Sequence, residues 1–404
     1  MDWSHHLAQR SHHLKSSIIR EILKLSRKPN IISFAGGLPA PDLFPIEQLR
    51  GAAERVLVER GAKALQYSTT EGHFPLREWI ASRLPGSDAQ RIRIVSGSQQ
   101  GLDLAAKVLC DPGDKVAVAA PTYMGALRAF DAYQVDYLTI ACDEGGMIPA
   151  SIEDAFRKKP KLLYVIPDFD NPTGVSLSLA RRRQLLELAE RYDVPIIEDN
   201  PYGELRFEGE ALPSLLELSP ERVIHTGTFS KIVAPGLRLA WITGPEKVVD
   251  VITRAKQATD LHTATFTQLL AVEALASGFL DEHLGKLRRH YRGQRDLMLG
   301  ALEANVPPGV SWTRPHGGMF LWVTLPEDVN ATRLLQRAVE QEVAFVPGEA
   351  FFAAGGGENF LRLSYSVATA DEIHQGIARL AGVIGEDPGV SRPGVRAREA
   401  TPGD

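Results

Sequence analysis

Between residues 91 and 245 short apolar runs rich in β-branched residues alternate with longer segments of helical period. The runs at 92–95, 115–119, 135–140, 162–166, 194–197, 223–226 and 237–243 read as seven strands. The segments 100–109, 123–132, 150–157 and 178–191 repeat their apolar positions every three or four residues and read as helices. Such alternation predicts an α/β fold, a mostly parallel seven-stranded sheet with helices on both faces. Ligands in these folds gather at the carboxyl ends of the strands. Ahead of this region, 14–27 forms an amphipathic helix with Leu14, Ile18, Ile19, Ile22, Leu23 and Leu25 on one side. A glycine- and proline-rich loop follows at 31–42, then helices from about Pro45 to Glu59 and from Phe74. Beyond 245 the chain turns helical, with a long segment at 278–304. Strand-like stretches at 317–325 and 360–365 then alternate with helices at 331–341 and 370–384, an α+β pattern. The expected organisation is a flexible 1–13, a segment 14–45 that completes a small domain, a large domain at 46–290 and the small domain at 291–385. Residues 386–404, rich in Pro, Gly and charge, are expected to be disordered.

The 404 residues suffice for two domains and a large core, and 44% hydrophobic with 24% charged residues is ordinary for a soluble globular protein. The net charge of −5 is spread along the chain, so no basic face for nucleic acid is indicated. No stretch approaches the ~18 uncharged apolar residues of a membrane span. The polar start, with His5-His6 and His12-His13, is unlike a signal peptide. Cys110 and Cys142 lie in apolar surroundings without metal-type spacing, as expected of free thiols in a reducing compartment. A cytoplasmic protein with no metal site is the expectation.

The stretch Thr226-Gly-Thr-Phe-Ser-Lys-Ile-Val-Ala-Pro-Gly-Leu-Arg238 carries the most chemistry. Burial of Lys231 among apolar neighbours would lower its pKa and make the amine nucleophilic enough for a Schiff base. The hydroxyls and Arg238 suit a phosphate. A surface lysine at a strand end is the competing reading. Ser96-Gly-Ser-Gln-Gln-Gly101 lies between a strand and a helix; it could aim backbone N–H groups at an anion or be a plain turn. Tyr123, after a strand, is either a half-buried core tyrosine or an aromatic that stacks on a planar ring. Asn171 sits in the turn-forming Pro167-Asp-Phe-Asp-Asn-Pro-Thr-Gly174. Asp199, past an apolar strand, needs a partner such as a protonated ring nitrogen, unless it caps a helix; Tyr202 can share its space. Arg362 lies in an alternating strand and calls for an anion, a substrate carboxylate or a structural carboxylate.

Taken in order, these pieces resemble a fold-type I pyridoxal phosphate enzyme. From about residue 14 to 385 the chain resembles the class I/II aminotransferases, above all the subgroup of 2-aminoadipate (LysN-type), kynurenine/aminoadipate and archaeal aromatic aminotransferases. The carrying motifs are Phe34-Ala-Gly-Gly-Leu-Pro-Ala-Pro-Asp-Leu-Phe-Pro, Leu65-Gln-Tyr-Ser-Thr-Thr-Glu-Gly, Asn171-Pro-Thr-Gly, Gly227-Thr-Phe-Ser-Lys-Ile-Val-Ala-Pro-Gly-Leu-Arg and Pro347-Gly-Glu-Ala-Phe-Phe. The resemblance implies the cofactor pyridoxal 5′-phosphate, with Lys231 as Schiff-base lysine and proton shuttle and Asp199 holding the ring nitrogen protonated. It also implies that Asn171 and Tyr202 bond the ring's phenolic oxygen and that Tyr123 stacks on the ring. Ser98, Gln99, Thr228, Ser230 and Arg238 would hold the phosphate, and Tyr67 would reach the phosphate of the neighbouring subunit in a homodimer with shared active sites. Arg362, with Asn171 and the backbone at Gly37, would clamp the substrate α-carboxylate.

Arg20, in Ser17-Ile-Ile-Arg-Glu-Ile-Leu, matches the subgroup's arginine for a distal carboxylate, whereas its apolar neighbours suit apolar donors; a solvent-facing helix arginine is the alternative. The implied reaction is ping-pong transfer of an amino group from 2-aminoadipate or an aromatic or branched-chain amino acid to 2-oxoglutarate, in amino-acid metabolism such as lysine biosynthesis. A β-lyase or decarboxylase would use the same lysine, Asp and Arg and stays open. A ligand-sensing regulator would need a DNA-binding module, and the roughly thirty residues before the glycine loop show no helix-turn-helix or basic patch. A nicotinamide dehydrogenase would need the glycine fingerprint, which is missing. Asp170, beside Asn171, would be another acid near the ring, able to shift either the donor preference or the imine pKa, and the sequence leaves both open.

Overall fold

The computed structural model describes residues 1–13 and 30–390. The expected helix at 14–27, Arg20 within it, and most of the expected disordered tail lie outside the described residues. Fourteen strands are found among the described residues: β1 Ile32–Ser33, β2 Arg93–Val95, β3 Lys115–Ala120, β4 Asp136–Asp143, β5 Gly146–Met147, β6 Leu162–Val165, β7 Ile196–Asp199, β8 Val223–Thr228, β9 Ala240–Thr243, β10 Ser311–Trp312, β11 Phe320–Thr324, β12 Val343–Ala344, β13 Val346–Pro347 and β14 Phe360–Ser364. The large sheet runs β2-β9-β8-β7-β6-β3-β4-β5. From β4 to β8 its neighbours are parallel, while β9 is antiparallel to both β8 and β2.

The sheet thus has the seven expected strands plus β5, a two-residue edge strand. Asp143 and Gly146 make it: the Asp143 carboxylate accepts the Gly145 N–H at 2.8 Å, and Gly146 adopts φ 92°, so β4 folds back on itself. Two strand boundaries moved for identifiable reasons. Strand β7 begins at Ile196 because the Val194 N–H closes the preceding helix on Ala189 O, and it extends through two acids that find partners in the interior. Strand β9 begins at Ala240, not 237, because Pro235–Leu237 forms a 3-10 turn and Arg238 is left-handed, with φ 49°.

Strands β6, β7 and β8 are buried along their whole length, as a parallel sheet covered on both faces requires; each opens on apolar residues, while β7 and β8 end in polar ones that face the strands' carboxyl edge. Helix Ser98–Leu109 packs on β8 and β9 and begins at the carboxyl end of β2. A second sheet, β10-β11-β14-β13, lies later in the chain, and helix Phe279–Asn305, which buries Leu280, Leu284, Leu287, Tyr291, Met298 and Leu302, packs against helix Ala370–Gly385. That last helix starts in a capping box, Thr369 to the Glu372 N–H and Glu372 back to the Thr369 N–H. Strand β1 pairs in parallel with β12, and the Ser364 N–H donates to Phe34 O, which brings the glycine-rich loop at 35–38 beside β14.

Candidate active site

The carboxyl ends of β6, β7 and β8 face a cavity of about 300 Å³ lined by Gly37, Ser98, Gln99, Tyr123, Asn171, Asp199, Tyr202, Thr228, Ser230, Lys231, Arg238 and Arg362, with Ile166, Pro201 and Pro235. The chain thereby gathers twelve of the fourteen expected site residues. Tyr67 is not among them: it is exposed, edge-on to His262 at 5.8 Å. Arg20 lies outside the described residues.

Lys231 leaves β8 in a turn closed by the Ile232 and Val233 N–H groups on Phe229 O. Its Nζ points into the cavity and donates to Gly37 O at 2.9 Å. Burial, then the nearby Arg362 and Arg238, push the amine down to about 8. Such an amine is free in roughly a tenth of molecules at neutral pH, a few hundredfold more than an ordinary lysine, which gives a usable fraction of nucleophile.

Asp199 ends β7 with its side chain buried. The Tyr164 hydroxyl donates to Asp199 Oδ2 at 2.8 Å, while Oδ1 is buried without a partner. Burial lifts the carboxyl to about 6 even though Tyr164 and His225 pull the other way. An orphaned carboxylate oxygen is costly unless a donor meets it, and a cationic ring N–H is the donor that would satisfy it. Behind it Glu198 accepts His225 Nδ1 at 3.0 Å and the Leu215 and Leu216 N–H groups. Despite full burial, these bonds hold Glu198 below the usual glutamate range.

The end of the cavity at Arg238 is equally built. Gly97 has φ 103°, and a Cβ there would lie 2.2 Å from Arg238 Nη2, so only glycine admits the guanidinium. Arg238 Nη2 donates to Ser96 O at 3.1 Å, and Thr228 Oγ1 bonds Ser230 Oγ at 2.9 Å. With the first N–H groups of helix Ser98–Leu109 these are donors of the kind that could hold a phosphate. Gly125 leaves room for the Tyr123 ring, since a Cβ would approach Cζ to 2.3 Å.

Arg362, 2% exposed, lies in β14 opposite Trp322 and Val346. Nη1 donates to Asn171 Oδ1 at 2.7 Å and Nη2 to Ala35 O at 2.6 Å, while Nε is unpaired. Phe320 stacks on the guanidinium at 4.3 Å, and no carboxylate pairs with it among the described residues. Burial pushes it down to about 10. Asn171 reaches on to the Tyr202 hydroxyl at 3.4 Å. The turn that carries Asn171 is pinned by Phe169, at φ 53° under Gly317 and Gly318, and by Thr313 Oγ1 on Thr173 O at 2.8 Å.

Asp170 departs from expectation. Its carboxyl does not line the Lys231 cavity; it accepts from Thr173 Oγ1 at 2.9 Å beside a separate small cavity with Thr122 and Cys142, and burial raises it to about 7. The backbone of 170 bonds Val175 and Gly174, which turns alternate side chains of this loop to opposite sides. Tyr164 and Gln100 were missed from the sequence; a tyrosine inside a buried apolar strand was the available sign for the first, because its hydroxyl must find an acceptor.

Residues 30–380 match the family model described as aminotransferase class I and II. An aromatic-amino-acid aminotransferase 1 from Thermococcus litoralis is 44% identical over 400 residues, 96% of this chain and 96% of that protein. A 2-aminoadipate transaminase from Thermus thermophilus is 45% identical over 389 residues, 95% of this chain and 98% of that one. Among solved structures, the α-aminoadipate aminotransferase LysN of Thermus thermophilus, complexed with N-(5′-phosphopyridoxyl)-L-leucine, superposes with a TM-score of 0.90 at 43% identity, covering 95% of this chain and 98% of that one.

Proposed function

We propose that this chain, which belongs to the aminotransferase class I and II family, uses pyridoxal 5′-phosphate to move the amino group of an L-amino acid to 2-oxoglutarate. The observation that carries the reading is one cavity joining a lysine amine depressed to about 8, the unpaired Asp199 Oδ1 and the Gly97–Arg238 cradle. Those three features suit the aldehyde, the ring nitrogen and the phosphate of that cofactor. When bound, pyridoxal 5′-phosphate supplies an electrophilic carbon for the amine and a ring that accepts the electron pair left on the α-carbon.

The residues divide the remaining work. Lys231 anchors the cofactor and carries a proton to and from the substrate α-carbon. Asp199 holds a proton at the ring nitrogen, with Tyr164 fixing its other oxygen. Tyr202 and Asn171 donate to the phenolic oxygen and Tyr123 covers the ring. Ser98, Gln99, Thr228, Ser230 and Arg238 bind the phosphate, joined by Tyr67 of the second copy in a homodimer. Arg362 orients the substrate α-carboxylate, helped by Asn171 and the Gly37 backbone; its unpaired Nε leaves a donor for that anion.

For the side chain we infer acidic (2-aminoadipate, glutamate) and aromatic or branched-chain donors, with Arg20 meeting the distal carboxylate. Names of the similar proteins, aromatic-amino-acid and 2-aminoadipate transaminases, support the aromatic and 2-aminoadipate parts of that range. The test mixes purified holoprotein with single donors and no oxo acid. A visible cofactor band that shifts to the amine form with 2-aminoadipate, leucine or phenylalanine, and returns with 2-oxoglutarate, is the expected result. Release of pyruvate and ammonia from donors with a β leaving group, without the shift, would overturn the reading in favour of a lyase. In Arg20→Ala, kcat/KM for 2-aminoadipate should fall roughly tenfold or more, the loss of one charge-assisted bond, while leucine is unaffected. An equal fall for both would remove Arg20 from side-chain recognition. Arg362→Leu should raise KM for every donor by about a hundredfold, because one buried guanidinium serves the group that all donors share; a donor-selective change would contradict that role.

A further inference from the structure

Ser96, at the head of the phosphate turn, is clasped on every polar atom. Its C=O accepts Arg238 Nη2, as above. On the side away from the cavity its N–H donates to Gln100 Oε1 at 2.7 Å and its hydroxyl to Asp260 Oδ2 at 3.2 Å. Gln100 Nε2 donates to the same Asp260 oxygen at 2.7 Å. Lys256, wholly buried in helix Glu246–Asp260, closes the group: Nζ donates to both Asp260 oxygens at 2.7 and 2.8 Å and to Gln100 Oε1 at 3.2 Å. Neither Lys256 nor Asp260 lines the Lys231 cavity.

We propose that the Lys256–Asp260 ion pair, its lysine buried and its carboxylate partly exposed, acting through Gln100 and Ser96, is the positioning device for the cofactor's phosphate. An ion pair that desolvates its lysine adds little to stability once that cost is counted, so its use here is to fix geometry. Asp260 sets where Ser96 and Gln100 sit, and so how Gly97 and the first turn of helix Ser98–Leu109 present their N–H groups beside Arg238. Lys256 also neutralises Asp260. Without that ammonium a carboxylate would stand one hydrogen bond behind the turn that must receive an anion, and its field would oppose phosphate binding. Beyond the pair, Thr263 Oγ1 shares the Ser96 hydroxyl at 3.2 Å, and His262 Nε2 accepts the Ser68 N–H at 3.2 Å beside Tyr67. The same helix end therefore also braces the segment proposed to reach the partner's phosphate.

This inference rests on the assignment of the phosphate to Ser98, Gln99, Thr228, Ser230 and Arg238. The cofactor-free wild type, Lys256→Met and Ser96→Ala are titrated with pyridoxal 5′-phosphate and, separately, with pyridoxal, which lacks the phosphate; dissociation constants are read from the visible band. Lys256→Met should weaken the phosphorylated form about tenfold or more and change pyridoxal by less than about twofold. Ser96→Ala removes one link without unbalancing buried charge and should move the same ratio in the same direction by roughly threefold, which keeps the test open if Lys256→Met does not fold. Equal weakening of both forms, or none, overturns the positioning role. A wild type that binds the two forms equally well would overturn the phosphate assignment itself.

Discussion

Lys231→Ala is expected to abolish the visible band of the lysine-bound cofactor and to slow the amino-donor half-reaction by at least about a thousandfold, the range that a positioned proton carrier contributes. The expectation follows from where Nζ lies: it ends in the cavity with Gly37 O as its hydrogen-bond acceptor, and among the described residues no second lysine lines that space. A small primary amine added to the variant should restore part of the rate, which assigns the loss to the missing amine and not to folding. The pH dependence has a definite sign. An amine with its pKa near 8 is increasingly free as pH rises through that value, so capture of the cofactor by cofactor-free wild type should accelerate between about pH 7 and 9 and then level off. An ordinary lysine near 10.4 would still be accelerating there. Retention of the band by Lys231→Ala, or a flat capture rate over that interval, is incompatible with the assignment.

Much of this arrangement was legible in the sequence because the strand order delivers strand-end residues to one edge. Asp199, Thr228 and Lys231 fall at or just past the ends of β7 and β8, and Tyr123 and Asn171 follow β3 and β6, so a correct parallel pattern places all five together. What stayed hidden depends on register and on satisfied charge. Tyr164 meets Asp199 across neighbouring strands paired Tyr164 with Ile197, a relation that no spacing along the chain reveals. Lys256 and Asp260, four apart on a helix, have the pattern of a solvated surface pair; the fold buries the lysine because Gln100 and Ser96 stand on the other side. Asp170 was misplaced for the opposite reason, since adjacency to Asn171 says nothing of direction in a turn whose side chains diverge. The acidic end of β7 was cut short in the sequence reading because Glu198 and Asp199 are tolerated in a buried strand only through partners contributed from elsewhere in the chain.

Asp199→Asn should leave the lysine-bound band in place and slow removal of the substrate α-proton by about a hundredfold or more, the usual cost of losing one preorganised charge at a reacting group. The amide keeps the shape and can still accept from the Tyr164 hydroxyl, but it cannot hold a proton on a ring nitrogen, so electron withdrawal into the ring weakens while cofactor capture survives. The same residue makes a second, independent prediction in the cofactor-free protein. Burial raises the Asp199 carboxyl from its ordinary 3.8 to about 6, so the folded state binds this proton more tightly than the unfolded state. Its favourable contribution is complete below about pH 4 and is lost as pH rises through 6. An asparagine carries no such term, and the Tm difference between the variant and the wild type should therefore shift in the variant's favour between about pH 4 and 7. Adding pyridoxal 5′-phosphate should reverse that shift in the wild type, because a cationic ring N–H gives the buried carboxylate the partner that its Oδ1 lacks. If α-proton removal by Asp199→Asn proceeds at the wild-type rate, the ring nitrogen does not meet Asp199. If the rate falls but the pH-dependent Tm difference does not change on adding the cofactor, the carboxylate acts at a distance and not through a direct pair.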